Sequence, residues 1–245
     1  MLDFIDIKYT KDTLYNTWIG RILSNFSACI AVLALMKILR ISPFKRPQGM
    51  LYMIPCLLIA FANFPLISYL NGNMHFVRKG AWDIILFVLY CLSVGVLEEL
   101  IFRGVLFSMI AERCGKDRNG LIKAFVLSSI LFGLAHLTNI FRGAGIVPTL
   151  VQVLYSTLTG GLFCFALIKT KNLLCCAGVH ALYNICGLLF ETPERLGIGT
   201  GVVFDTGTLI MMALIDVCLG VLVLYSLFKN PEKDRVELYE RLHIS

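Results

Sequence analysis

The chain has 245 residues, of which 58% are hydrophobic and 16% are charged, and its mean hydropathy is +0.79. Soluble domains carry about 25% charged residues, so this composition excludes a soluble globular protein. The abundance of apolar and aromatic residues excludes a disordered chain. The net charge of +6 comes from basic residues scattered over the loops, and they form no basic patch with aromatics, so we expect no nucleic-acid partner.

Apolar stretches dominate the chain and predict its fold class. A helix needs about 20 mostly apolar residues to cross a bilayer. Seven candidates cover residues 20–39, 49–70, 81–110, 121–137, 148–168, 173–190 and 207–228. We therefore predict an all-α protein, a polytopic bundle of about seven transmembrane helices around a polar cavity. Its predicted parts are two N-terminal spans (1–80), a catalytic core (81–190) and a last span with a polar tail (191–245).

The basic residues predict the orientation of the bundle. Fourteen of them lie in the loops and the tail that follow stretches 1, 3, 5 and 7. Seven lie in the segments on the opposite side of the membrane. Because basic loops remain in the cytoplasm, we expect the N-terminus outside and the C-terminus in the cytoplasm. The short loops and the lack of a sorting signal favour a multi-pass protein of a bacterial plasma membrane.

The nine cysteines indicate neither a metal site nor a disulfide framework. They include no C-x-x-C pair, and nearly all lie within apolar stretches. Cysteine behaves as a small hydrophobic residue in such surroundings. We therefore expect the cysteines to pack in the core.

Ionisable residues inside the apolar stretches are the main functional signal, because they are costly in hydrocarbon and usually have a function. The third stretch contains Glu98, Glu99 and Arg103. Glu99 and Arg103 are spaced i, i+4 and can pair on one helix face, whereas Glu98 points about 100° away from Glu99. We therefore expect Arg103 to neutralise Glu99 and Glu98 to remain available for chemistry.

Other polar residues lie at comparable depths in other stretches. The fourth stretch ends near His136, and the sixth contains His180 and Asn184 one turn apart. A rise of 1.5 Å per residue puts Glu98 and His136 each about 21–23 Å from the turn between their helices, and tilt can bring the other two residues to this level. Taken singly, each of these polar residues could be a packing contact between helices. Their convergence at one depth favours a catalytic site. Asp216 in the seventh stretch is expected to hydrogen-bond within the bundle or to assist the site.

These residue types are suited to peptide hydrolysis. A glutamate beside a histidine can hold a water molecule and take its proton, a step for which we predict Glu98 and His136. His180 and Asn184 can donate hydrogen bonds to the developing oxyanion. The alternative is a zinc-bound water held by Glu98, His136 and His180, although the helical H-E-x-x-H signature is absent.

Three short motifs stand on the third, fourth and sixth stretches: Glu98-Glu99-x-x-x-Arg103, Phe132-x-x-x-His136 and His180-x-x-x-Asn184. In this order they resemble the motifs of the CAAX protease and bacteriocin-processing family, also called Abi, which contains intramembrane endopeptidases. The resemblance covers about residues 81–190. It implies Glu98 as catalytic base with His136 on the water, His180 and Asn184 as the oxyanion site, and Glu99 with Arg103 as supporting residues.

Members of this family have been described both as metalloproteases and as metal-independent glutamate proteases. We expect the second type, without a cofactor. Asn184 and the different membrane depths of the candidate ligands suit a hydrogen-bonded site better than a zinc site. Residues 1–80 and 191–245 lie outside the resemblance and are expected to affect substrate choice.

The expected function is cleavage of a membrane-associated peptide or protein substrate by a glutamate-activated water. A bacterial role in peptide maturation, bacteriocin immunity or sensor regulation is expected first, and cleavage of prenylated CAAX proteins is an alternative within the family. The alternative from another class is a non-proteolytic regulator that binds a sensor or a toxin. In that protein the polar residues would matter only for stability.

Overall fold

A computed structural model describes residues 11–42, 44–76, 79–114, 117–190, 214–215, 217–223 and 225. Its α-helices are α1 (Lys11–Ile38), α2 (Ile54–Ala62), α3 (Leu66–Leu70), α4 (Ala81–Glu99), α5 (Phe107–Cys114), α6 (Arg118–Ala135), α7 (Ile146–Thr170) and α8 (Leu173–Leu188). Three other helical segments are the 3-10 helices Met50–Met53 and His136–Arg142 and the π-helix Leu100–Leu106. The described residues form no β-strand, only isolated bridges such as that between Phe44 and Asn172, so the all-α prediction is confirmed.

Four helices in the described part of the chain are long and apolar enough to cross a membrane. They cover Trp18–Ile38, Ala81–Cys114, Asn119–Phe141 and Ile146–Thr170. Two shorter apolar helices, Met50–Ala62 and Leu173–Leu188, add to the bundle. The prediction of about seven full spans therefore does not match the number of long helices.

Two of the predicted spans differ from the observed helices for physical reasons. The stretch 49–70 is interrupted where Pro65 follows the end of α2, because proline lacks an N–H and its ring clashes with a preceding helical turn. Helix α8 has 16 residues, which is about 24 Å at 1.5 Å per residue, shorter than the roughly 30 Å hydrocarbon core. Most of the stretch 207–228, including Asp216, lies outside the described residues.

The bundle exposes apolar side chains and buries charged ones. Leu51, Ile30 and Leu154 are 79%, 70% and 66% exposed, whereas Glu99 and Arg103 are fully buried. Water would penalise such an arrangement, but lipid tails are as apolar as the exposed side chains. The chain is therefore a multi-pass membrane protein.

Helices α4 and α8 approach closely at Gly95. A Cβ atom on Gly95 would lie 2.8 Å from the backbone nitrogen of Ala181 and 3.2 Å from the carbonyl oxygen of Ala177. Small residues let membrane helices come this close. The contact brings the acidic end of α4, one turn after Gly95, beside His180 of α8.

Replacing Gly95 with Ala is expected to lower the stability of the bundle by about 1–3 kcal/mol, because the added methyl group meets backbone atoms that cannot yield without moving a helix. Thermal unfolding of the purified protein in detergent would measure this effect. Gly178→Ala on α8 is the matched control, since a Cβ there meets nothing within 4 Å. Equal unfolding temperatures for the two variants would contradict the proposed tight crossing.

Candidate active site

A polar cavity of about 330 Å³ lies among α4, α6, α7 and α8, and four of the predicted residues line it: Glu98, His136, His180 and Asn184. The side chain of Glu98 is 30% exposed, whereas those of Glu99 and Arg103 are fully buried. The structure thus brings the four predicted cavity residues around one space. It places the two predicted supporting residues behind the cavity wall.

The E-E-x-x-x-R motif spans a change of helix type that the sequence analysis did not predict. Helix α4 ends at Glu99 and continues as the π-helical segment Leu100–Leu106, which contains Arg103. Such π-bulges are rare and frequently occur at functional sites. Nη1 of Arg103 is 3.0 Å from Oε1 of Glu99, so the predicted ion pair is present despite the wider helix.

Further contacts compensate the buried charge of Arg103. Its Nη2 donates a hydrogen bond of 2.9 Å to the carbonyl oxygen of Gly160, and its Cζ lies 4.2 Å from the centroid of the Phe132 ring. A cation over an aromatic face is attracted by the ring quadrupole. A Cβ on Gly160 would lie 2.9 Å from Cδ1 of Phe132, so this glycine leaves room for the ring.

His180 contacts both carboxylates of the motif. Its Nδ1 is 2.8 Å from Oε1 of Glu99, and its Nε2 is 3.5 Å from Oε2 of Glu98. An ionised carboxylate only accepts hydrogen bonds, so Nδ1 carries a proton and donates a hydrogen bond to Glu99. The ring also stacks on Phe163 with centroids 4.8 Å apart. Glu99 therefore orients His180, whereas the sequence analysis expected Glu99 only to support Glu98.

His136 reaches the same cavity from the C-terminal end of α6. Its Nδ1 is 3.0 Å from the carbonyl oxygen of Phe132. A carbonyl only accepts hydrogen bonds, so Nδ1 carries the proton and Nε2 of the neutral ring keeps its lone pair. His136 is thus an acceptor that can hold a water molecule. The imidazole within ion-pair distance of Glu98, however, is that of His180, a contact that the sequence analysis had not assigned.

Asn184 presents its amide nitrogen to the cavity. It lines the cavity one turn after His180, and its buried Nδ2 has no hydrogen-bond partner among the described residues. Leaving a buried donor unpaired costs about 1–3 kcal/mol. Such a donor is available to an oxygen atom of a bound molecule.

Helix α7 contributes a polar wall to the cavity that none of the three sequence motifs marks. Four of its residues line the space: Gln152, Tyr155, Ser156 and Thr159. They stand at positions i, i+3, i+4 and i+7 of the helix, which places them on one face. This periodicity is a sequence signal that could have identified the wall.

Two lining residues come from positions that no motif marks. Asn63, at the break after α2, donates a hydrogen bond of 2.9 Å to the carbonyl oxygen of Tyr183, and Tyr90 lies on α4 two turns before the acidic pair. Asn63 belongs to the segment 1–80, which was expected to affect substrate choice. Its sequence context, a polar residue two positions before a proline, predicts only a turn.

The predicted zinc alternative uses Glu98, His136 and His180. In the described part of the chain, no three His, Cys, Asp or Glu side chains are grouped closely enough to hold a metal. Nδ1 of each cavity histidine is engaged, that of His180 with Glu99 and that of His136 with a carbonyl, so Nε2 is the nitrogen left for a ligand. Whether catalysis is metal-dependent or metal-free stays a prediction.

Comparison with known proteins identifies the segment that carries the motifs. A family model described as type II CAAX prenyl endopeptidase Rce1-like matches residues 80–186. The CAAX prenyl protease 2 of Saccharomyces cerevisiae is 31% identical over 113 residues, which cover 42% of this chain and 35% of the yeast protein. The chain thus matches about a third of the length of this relative, and no solved structure matches it. The resemblance carried by the three motifs is confirmed for residues 80–186, which match this endopeptidase family model.

Proposed function

We propose that the chain is an intramembrane endopeptidase that hydrolyses a peptide bond of a membrane-associated substrate. The observation that carries this proposal is the convergence of Glu98, His136, His180 and Asn184 on one cavity among apolar helices. A partly exposed carboxylate, an imidazole lone pair and an unpaired amide donor have little value for packing. Together they are the groups that activate water and stabilise an oxyanion.

In the proposed reaction, water lies between Glu98 and Nε2 of His136. Glu98 takes a proton from the water, and the water oxygen forms a bond to the peptide carbonyl carbon. The carbonyl oxygen becomes an oxyanion that accepts hydrogen bonds from Asn184 and His180. The C–N bond then breaks, the leaving amine takes the proton from Glu98, and a carboxylic acid and an amine are released.

The donor role of His180 requires a proton on both ring nitrogens. Nδ1–H is engaged with Glu99, so only Nε2–H can serve the oxyanion. Arg103 balances the charge of Glu99 in the buried ion pair. Glu99 and Arg103 thus act as positioning residues in the proposal, since they hold the ring rather than the substrate.

A farnesylated CAAX peptide is the first substrate to test, because the yeast relative is named a CAAX prenyl protease. The bacterial roles in peptide maturation, bacteriocin immunity and sensor regulation stay predictions. Comparative peptidomics of cells that carry the wild type or Glu98→Gln would identify the physiological substrate. A non-proteolytic regulator would leave the two peptide profiles identical.

Removal of metal ions is expected to leave cleavage unchanged. Purified protein in lipid vesicles would be incubated with the farnesylated peptide, and products would be measured by mass spectrometry before and after treatment with a strong zinc chelator. Rates within twofold of each other support the metal-free mechanism. Bound zinc at one equivalent, together with loss of cleavage on chelation and recovery on zinc addition, would contradict it.

A further inference from the structure

One residue at the end of α2 contacts the backbone of α8 beside a proposed donor to the oxyanion. Asn63 is 8% exposed, and its Nδ2 donates a hydrogen bond of 2.9 Å to the carbonyl oxygen of Tyr183. A carbonyl oxygen has two lone pairs, so it accepts this bond in addition to the one from the helical N–H four residues later. Asn184, the next residue, lines the cavity. Asn63 therefore holds α8 at the turn from which Asn184 extends.

The surface of α8 is shaped to admit the amide of Asn63. A Cβ atom on Gly187, one turn after Tyr183, would overlap Nδ2 of Asn63 and would lie 3.1 Å from its Cγ. Glycine is the residue that allows so close an approach to a backbone. The hydrogen bond and the glycine thus form one fitted contact between α2 and α8.

Local structure fixes Asn63 from the side of α2. Its backbone N–H donates a 3.0 Å hydrogen bond to the carbonyl oxygen of Ile59 and completes the last turn of α2, and Pro65 prevents the helix from continuing. The adjacent Phe64 packs edge-on against Phe190, just after the end of α8, with ring centroids 5.3 Å apart. The end of α2 is therefore anchored to the C-terminal part of α8 at two points.

We propose that Asn63 is a positioning residue for the reaction and that it aligns Asn184 with the oxyanion. Nδ2 of Asn184 has no hydrogen-bond partner among the described residues, so no protein acceptor fixes the direction of this donor. Its place depends on the backbone of α8, which Asn63 holds one residue earlier. Misplacement of a catalytic group by about 1 Å can lower a rate about a hundredfold.

This inference rests on the proposed function, because an oxyanion forms only if the chain cleaves a peptide bond. Asn63 lies outside residues 80–186, so the family match does not include it. The N-terminal part of the chain was expected to affect substrate choice. An interaction made only in the transition state affects kcat rather than substrate binding, so the test separates kcat from KM.

The experiment is a double-mutant cycle between Asn63 and Asn184, with cleavage of the farnesylated peptide measured in lipid vesicles. Asn184→Ala is expected to lower kcat about 10²–10³-fold, the usual effect of losing one oxyanion donor. Asn63→Ala is expected to lower kcat about tenfold to a hundredfold, with KM nearly unchanged. In the Asn184→Ala background the same change is expected to alter kcat less than about twofold, because no donor is left to align. An unchanged kcat for Asn63→Ala, or an equal loss in both backgrounds, would overturn the proposal.

Asn25→Ala is the matched control for the cycle. Asn25 also donates a hydrogen bond between helices from Nδ2, in this case 3.0 Å to Oγ of Ser93 on α4. Its replacement removes the same kind of contact from a different helix pair. Any loss of kcat in this variant is expected to be the same with and without Asn184. A coupling to Asn184 as large as that of Asn63 would reflect a general loosening of the bundle and would overturn the proposal.

A second variant separates the hydrogen bond from packing. In Asn63→Ala/Gly187→Ala, the methyl group added at position 187 takes space that the amide leaves. The unfolding temperature is therefore expected to recover toward that of the wild type, whereas kcat stays low. This variant also serves as the test if Asn63→Ala alone does not fold. Recovery of the wild-type kcat would show that only packing is needed here and would overturn the positioning role.

A measurement without substrate separates failure of this role from failure of the proposed function. Absence of cleavage by the wild type above the Glu98→Gln background would reject the endopeptidase. The side-chain amide NMR signal of Asn184, in protein with isotope-labelled asparagine and assigned by its loss in Asn184→Ala, would still test the alignment. A signal that is shifted or broadened in Asn63→Ala and unchanged in Asn25→Ala supports the alignment. An Asn184 signal that is the same in Asn63→Ala and the wild type overturns it.

Discussion

The Glu98→Gln variant is expected to fold like the wild type and to lose about 10²–10⁴-fold in kcat, the usual contribution of a general base. Glutamine keeps the volume of the side chain and its ability to hydrogen-bond, but it cannot take a proton from water. Glu98 is partly exposed in the cavity, and its ion-pair contact with His180 is a long one at 3.5 Å. The substitution therefore removes basicity with little loss of packing.

Glu99→Gln is the control that separates the two adjacent carboxylates. Glu99 is fully buried and contacts both Arg103 and His180, so its neutralisation is expected to lower the unfolding temperature together with activity. Cleavage of the farnesylated peptide and thermal unfolding would be measured on the same preparations. If Glu98→Gln cleaved within threefold of the wild type, the role of Glu98 as base would be rejected.

The acidic pair also illustrates how much of the site the sequence predicts. The i, i+4 spacing of Glu99 and Arg103 follows from helix geometry alone, and the observed ion pair agrees with it. The contact of His180 with both carboxylates does not follow from spacing, because it depends on how α4 and α8 cross. That crossing is determined at Gly95, whose role is visible only once Ala177 and Ala181 are placed against it.

The fold, like the site, has features that the local sequence predicts and features that depend on tertiary packing. Hydropathy predicts the long helices well, because each span must satisfy its own backbone hydrogen bonds in lipid. It overlooks the interruption near Pro65 and the π-helical segment around Arg103, since apolar composition continues through both. Tyr90 was not predicted to line the cavity for a different reason. An aromatic residue in an apolar helix carries no distinct sequence signal.

Replacing Arg103 with Ala is expected to destabilise the protein by about 3–5 kcal/mol, the usual effect of removing one partner of a buried ion pair. The substitution leaves the fully buried Glu99 without its guanidinium and the carbonyl of Gly160 without its donor. It also removes the cation packed on Phe132. Arg113→Ala, at an exposed position near the end of α5, is the neutral control.

Activity of Arg103→Ala is expected to fall further than its stability explains. Without Arg103, Glu99 keeps His180 as its hydrogen-bond partner. The imidazole that should serve the oxyanion is then held more strongly by Glu99 and shifts from its place. Cleavage would be measured well below the unfolding temperature of each variant, so that the folded fraction is equal. Arg103→Lys keeps the charge but loses the planar fork and should recover stability in part. If Arg103→Ala had the turnover rate and the unfolding temperature of the wild type, the ion pair would not matter for stability. The orientation of His180 would then not depend on Arg103 either.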